Sequence, residues 1–137
     1  MNKEVNLFYH VILIIEPLEA AITNLLQVVL PDYLAVKSKS LECNILKIGI
    51  YGNHLHFIIS IPPHLSTIEI INIIKKDSIN YLKKNIKDVN FDWTEDFYIS
   101  TISPDDIGSV STLFHANAKF NGDATLSEES SDFMKTE

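Results

Sequence analysis

At 137 residues, 46% hydrophobic and 21% charged, the chain holds material for one core, which excludes a wholly disordered protein and a second domain of ordinary size. A single cysteine, Cys43, excludes a disulfide framework and a cysteine-based zinc cluster. The net charge is −7 and all 11 cations are lysines, there being no arginine, which argues against a dominant basic surface.

Residues 5–15 form an apolar run rich in β-branched and aromatic side chains and read as a buried central strand. The run is too short to span a bilayer and ends in Glu16-Pro17 rather than in the small residues of a signal peptide. A cytoplasmic protein with no membrane partner is the expectation. Pro17 suits the first position of a helix, and Leu18, Ile22, Leu25 and Val29 recur at helical spacing as far as Pro31. Residues 32–40 read as a polar loop. Residues 42–51 and 54–61 then read as the arms of a hairpin turned by Gly52-Asn53. Ser66 and Glu69 have capping-box spacing, which predicts a helix to about Ile86. One face of it carries Ile70, Ile71, Ile74, Ser78, Tyr81 and Leu82; the other carries Lys75, Lys76, Lys83, Lys84 and Lys87.

After a loop holding Trp93, residues 97–102 read as a fourth strand. Ser103-Pro104-Asp105-Asp106 has the cap residue, proline and acids of a helix start, and a last helix reaches about Lys119. The order β-α-β-β-α-β with an extra C-terminal helix is the ferredoxin-like (RRM-like) α+β plan, an antiparallel sheet with helices on one face. Residues 120–137 are acidic and rich in Ser and Thr and read as a disordered tail, leaving 1–119 as the domain.

His54-Leu55-His56 falls on the second hairpin strand. Side chains alternate across a strand, so the two imidazoles project together while Leu55, Phe57 and Ile59 face the other way. Such a pair can hold one divalent metal; it also fits two half-exposed histidines on a polar face. Tyr98 reads as a half-buried sheet aromatic, His10 as a packed or paired residue of the first strand, and His115 as a solvated helical histidine. Cys43 reads as a small buried apolar residue.

The words around that pair extend the pattern. Tyr9-His10-Val11-Ile12 opens the first strand, and Gly52-Asn53-His54-Leu55-His56 runs on to Pro62-Pro63. Ser66-Thr67-Ile68-Glu69 leads to Lys75-Lys76-Asp77-Ser78, then Trp93, then Phe97-Tyr98-Ile99-Ser100-Thr101. Over residues 8–119 this order resembles the HUH-type single-tyrosine transposases of small insertion sequences, including the REP-associated ones. The resemblance implies that His54 and His56, with Asn117, hold Mg²⁺ or Mn²⁺ against the scissile phosphate of single-stranded DNA. It implies a tyrosine on the last helix that attacks this phosphate, and a homodimer in which that helix completes the partner's site. Imidazole ligands suit Mn²⁺ better than Mg²⁺. Lys75, Lys76, Lys83 and Lys84 are the candidate DNA contacts, against the plain reading of a solvated face.

The chain departs from that pattern at the nucleophile. The last helix offers Leu113 or Phe114 where the tyrosine is required, and no tyrosine follows Tyr98. The acid before the first histidine is Asn53, Glu16-Pro17-Leu18-Glu19 replaces a basic segment, and arginine is absent. Three readings stand: a family protein impaired in catalysis, an active enzyme with Tyr98 or Tyr51 as displaced nucleophile, and a non-catalytic ferredoxin-like interaction module.

Overall fold

Strand β1, Phe8–Glu16, is buried on both faces, as its unbroken apolar run requires. The computed structural model describes residues 7–16, 24–86 and 91–112. After β1 come α1 (Asn24–Ser40), β2 (Asn44–Tyr51), β3 (His54–Ser60), α2 (Thr67–Asn85) and β4 (Asp92–Ile102). A 3₁₀ turn, Pro104–Asp106, then leads into helical residues 107–112. Expectations placed on Pro17, Leu18, Ile22, Lys87, Leu113, Phe114, His115, Asn117 and residues 120–137 lie outside the described residues.

The protein is α+β, with one four-stranded sheet in the order β2-β3-β1-β4, every pairing antiparallel. Val11, Leu13 and Ile15 of β1 and Leu55, Phe57 and Ile59 of β3 pack against Leu30 and Leu34 of α1 and Ile70, Ile71, Ile74 and Leu82 of α2. Both long helices therefore cover one face. On the opposite face, Ile12 and Ile58 meet Val110 of the last described helical turn.

The hairpin closes at Gly52-Asn53 as expected. Gly52 has φ 61° and Asn53 does not share that region, the pattern of a II′ turn. The turn is tied to β1: Asn53 Nδ2 donates to the Ile15 carbonyl at 3.2 Å, and the Ile15 amide donates to the Asn53 carbonyl at 2.8 Å. Ser66 caps α2, its hydroxyl accepting from the Glu69 amide at 3.3 Å. Ser103 caps the 3₁₀ turn, accepting from the Asp105 amide.

Two boundaries differ from those read in the sequence. Residues 32–40 are not a loop; α1 runs through Pro31 to Ser40. Proline costs a helix interior roughly 3 kcal/mol, and tertiary contacts beyond it offset that. Leu30, Leu34 and Ser38 bury at a four-residue spacing. Tyr33 stacks on Tyr81 of α2 with ring centres 4.3 Å apart, and Lys37 pairs with Asp77 at 2.6 Å. The helix ends where Glu42 takes φ 64° and the Cys43 amide reaches back to the Ser38 carbonyl.

Trp93, read as a loop residue, belongs to β4, which begins at Asp92. Leu13 pairs with Phe97 and Ile15 with Trp93, so β4 carries two extra residues in a bulge at Thr94–Asp96. The indole is buried, and its Nε1 donates to Ser78 Oγ at 3.0 Å and to the Lys75 carbonyl at 3.1 Å. This explains why a serine sits on the apolar face of α2.

Candidate functional site

The alternation of β3 sends His54, His56 and Ile58 to the face opposite α1 and α2, while Leu55, Phe57 and Ile59 enter the main core. Register then fixes their neighbours. Gly49, His56, Ile12 and Tyr98 form one row across β2, β3, β1 and β4. Tyr51, His54 and Ile14 form the next row, and His10 pairs with Ile58 and Ser100. His10 is therefore the diagonal neighbour of His56.

These side chains form a buried aromatic patch. His54, His56 and His10 are 4%, 0% and 1% exposed, which rules out the half-exposed arrangement. The rings of His54 and His56 stack with centres 6.4 Å apart, and those of His10 and His56 with centres 5.6 Å apart. His10 Nε2 and His56 Nδ1 are 3.4 Å apart. Tyr98 meets His10 edge-on at 5.4 Å, and Tyr51 meets His56 edge-on at 5.9 Å.

Burial sets the charge of the patch. Desolvation lowers the His10 pKa to about 3. His56 falls to about 2, by desolvation first and then by the neighbouring His10 and His54. Both imidazoles are neutral at physiological pH, the state in which nitrogen offers a lone pair to a metal. Burial raises the Tyr51 phenol above its usual range. Among the described residues no group of three or more His, Cys, Asp or Glu is arranged to hold a metal. Of the three candidate ligands, His54 and His56 are neighbours on β3; Asn117 lies outside the described residues.

Tyr51 owes its place to Gly49. A methyl group at position 49 would stand 2.7 Å from Tyr51 Oη and 2.9 Å from Cζ. The Tyr51 ring thus fills the space that a side chain opposite His56 would take. Gly49→Ala is expected to swing this ring away from His56 while changing stability by no more than about 1 kcal/mol, because the obstructed atoms end a side chain that can rotate. The check is the ring-current shift of the His56 Hε1 proton in NMR spectra; an unchanged shift would show that Gly49 does not seat Tyr51.

The lysines are elsewhere. α2 packs on the face opposite the histidines, and Lys76, Lys83 and Lys84 are exposed on it. Lys75 is half-buried: its Nζ donates to the Thr94 carbonyl at 3.0 Å and lies 5.0 Å from the centre of the Phe97 ring. Sequence reasoning treated His10 and Tyr51 apart from the histidine pair. Strand parity puts His10 on the same face as Ile12, but only the β1–β3 register brings it to His56.

The sequence profile described as Transposase IS200 like matches residues 3–113. A solved structure from Deinococcus radiodurans R1, described as a candidate transposase, superposes with a TM-score of 0.66. It is 13% identical, covering 85% of this chain and 97% of its own; at that identity the likeness concerns the fold. No curated protein matches the chain. No helix among the described residues is long and apolar enough to cross a membrane.

Proposed function

From the premise that the chain belongs to the IS200-like transposase family, we propose that it is an HUH single-tyrosine transposase impaired in DNA strand cleavage. It is built on the ferredoxin-like plan over residues 1–119, ahead of an acidic tail at 120–137, and works in the cytoplasm as a homodimer. The element order and the strand order support that plan. The observation that carries the functional reading is His54 and His56, side by side and neighbouring in space on one face of β3.

The donor chemistry fits a divalent ion. Neutral imidazoles suit Mn²⁺ better than Mg²⁺, and His54, His56 and Asn117 are the residues that would hold it. Such an ion, when bound, offsets charge on phosphoryl oxygens. Two histidines and an amide make a weak set, so binding should need added Mn²⁺. Contact with single-stranded DNA would fall to Lys75, Lys76, Lys83 and Lys84, Lys75 being the least available because Thr94 and Phe97 engage it. Their place on α2, across the sheet from the histidines, supports poor coupling between DNA binding and chemistry.

Impairment follows from Leu113 and Phe114, neither of which carries a hydroxyl. Incubated with single-stranded hairpins and Mn²⁺, the wild-type chain should show no tyrosine-linked oligonucleotide by intact mass. Leu113→Tyr or Phe114→Tyr should produce one. Loss of a nucleophile that acts within a unit removes nearly all turnover.

A second reading has its own observation: Tyr51 and Tyr98 lie against His56 and His10. An adduct in wild-type protein that disappears in Tyr51→Phe or Tyr98→Phe would establish a displaced nucleophile. Tyr51 is the poorer choice, since a raised phenol pKa lowers the fraction of the attacking anion. Absence of any salt-dependent binding of single strands would favour a non-catalytic interaction module instead.

A further inference from the structure

His10 is absent from the ligand set proposed above, yet it is as buried as His56 and lies within hydrogen-bond reach of that ring. Its Nε2 is 3.4 Å from His56 Nδ1, at the long end of the hydrogen-bond range, with the rings inclined by 23°. Pairing of His10 with both Ile58 and Ser100 holds its backbone, and Tyr98 edge-on restricts its ring. Between two neutral imidazoles this contact holds one proton, on His10 Nε2 or on His56 Nδ1.

The two arrangements differ in what they leave on the far side of His56. If His10 donates, His56 carries its own hydrogen on Nε2, and neither of its nitrogens has a lone pair left for a metal. If His56 donates through Nδ1, its Nε2 is the lone-pair nitrogen. Histidine ligands generally use one nitrogen for the metal and give the other N–H to a fixed acceptor. Here a second imidazole, that of His10, stands within reach of Nδ1 to take the acceptor's place.

We infer that His56 donates its Nδ1–H to His10 Nε2, making His10 a positioning residue that holds His56 in the tautomer presenting Nε2 to a divalent cation. This rests on the proposal that His54 and His56 hold the ion. His10 does not touch the ion itself.

The test uses the full chain and Mn²⁺ alone. Affinity is read from depletion of the free Mn²⁺ signal in electron paramagnetic resonance. Tautomers are read from two-bond ¹⁵N–¹H correlations of histidine-labelled, metal-free protein. In the wild type, His56 should carry its hydrogen on Nδ1. His10→Phe keeps a buried ring but removes the acceptor; it should move the His56 hydrogen toward Nε2 and weaken Mn²⁺ about tenfold or more. His10→Gln offers an amide oxygen to the same N–H and should stay within about threefold of wild type. Circular dichroism confirms that each variant is folded.

A wild-type His56 hydrogen on Nε2 overturns the inference. So does His10→Phe with unchanged Mn²⁺ affinity, and so does His10→Gln losing as much as His10→Phe, which would make His10 a ligand. If the wild type takes up no Mn²⁺, the metal reading fails, while the tautomer measurement still decides the role of His10.

Discussion

Acidification from pH 6.5 to about 4.5 should cost the metal-free protein about 5 kcal/mol of stability through two histidines alone. Burial lowers the His10 pKa from 6.5 to about 3 and that of His56 from 6.5 to about 2. Between those values and 6.5 the unfolded chain binds protons that the folded chain refuses. Stability therefore rises with pH across this window, is complete above 6.5, and falls as acid is added. Each proton contributes about 1.4 kcal/mol per pH unit, so the total needs only that both values lie below about 4. Urea unfolding at stepped pH measures the slope. The double variant His10→Phe, His56→Phe keeps rings in both places and should flatten it. Every other ionisable group is common to both proteins, so the difference between the two slopes reports the two histidines. An equal slope in the two would show that neither histidine is held neutral by the fold.

Trp93→Ala should destabilise the protein by about 4 kcal/mol, in the range for removing a buried aromatic. The indole packs edge-on against Phe91 and closes the main core where β4 meets α2. Its Nε1 also supplies the hydrogen bond that Ser78 Oγ accepts in an otherwise apolar setting. Trp93→Phe retains most of the packing and should cost about 1–2 kcal/mol, the worth of that hydrogen bond and its desolvated partner. Circular dichroism in denaturant is the measurement, because the substitution removes the only tryptophan. A Trp93→Ala variant within about 1 kcal/mol of wild type would mean that the bulged end of β4 adds nothing to the cooperative core.

The two predictions draw on features of unequal visibility in the sequence. His54 and His56 were readable as a pair because strand parity is a local property, and a Gly-Asn turn set where the strand begins. Ser66 with Glu69, and Ser103 with Pro104, marked helix starts for the same local reason. Pro31 misled because its local cost is offset at a distance, by Tyr33 against Tyr81 and Lys37 against Asp77. Trp93 misled because a bulge breaks the period on which strand reading depends. The approach of His10 to His56 is set by register between strands 46 residues apart, which no local pattern encodes. The lysine stripe was legible as a stripe. That Lys75 turns from solvent to the Thr94 carbonyl depended on where β4 bulges.

That bulge also bears on how the chain avoids aggregating. β4 is a margin of the sheet, with β1 on one flank and no strand on the other among the described residues. An open margin offers its amides and carbonyls to any passing β-strand. At Thr94–Asp96 the spacing of those groups is broken, and Glu95 and Asp96 stand exposed there. A foreign strand laid along β4 would meet a mismatched ladder and two carboxylates over the first half, leaving regular pairing only beside residues 97–102. Any self-association by sheet extension at this margin is thereby confined to about six residues of contact, short enough to be selective for a matched partner and poor at recruiting an unfolded one.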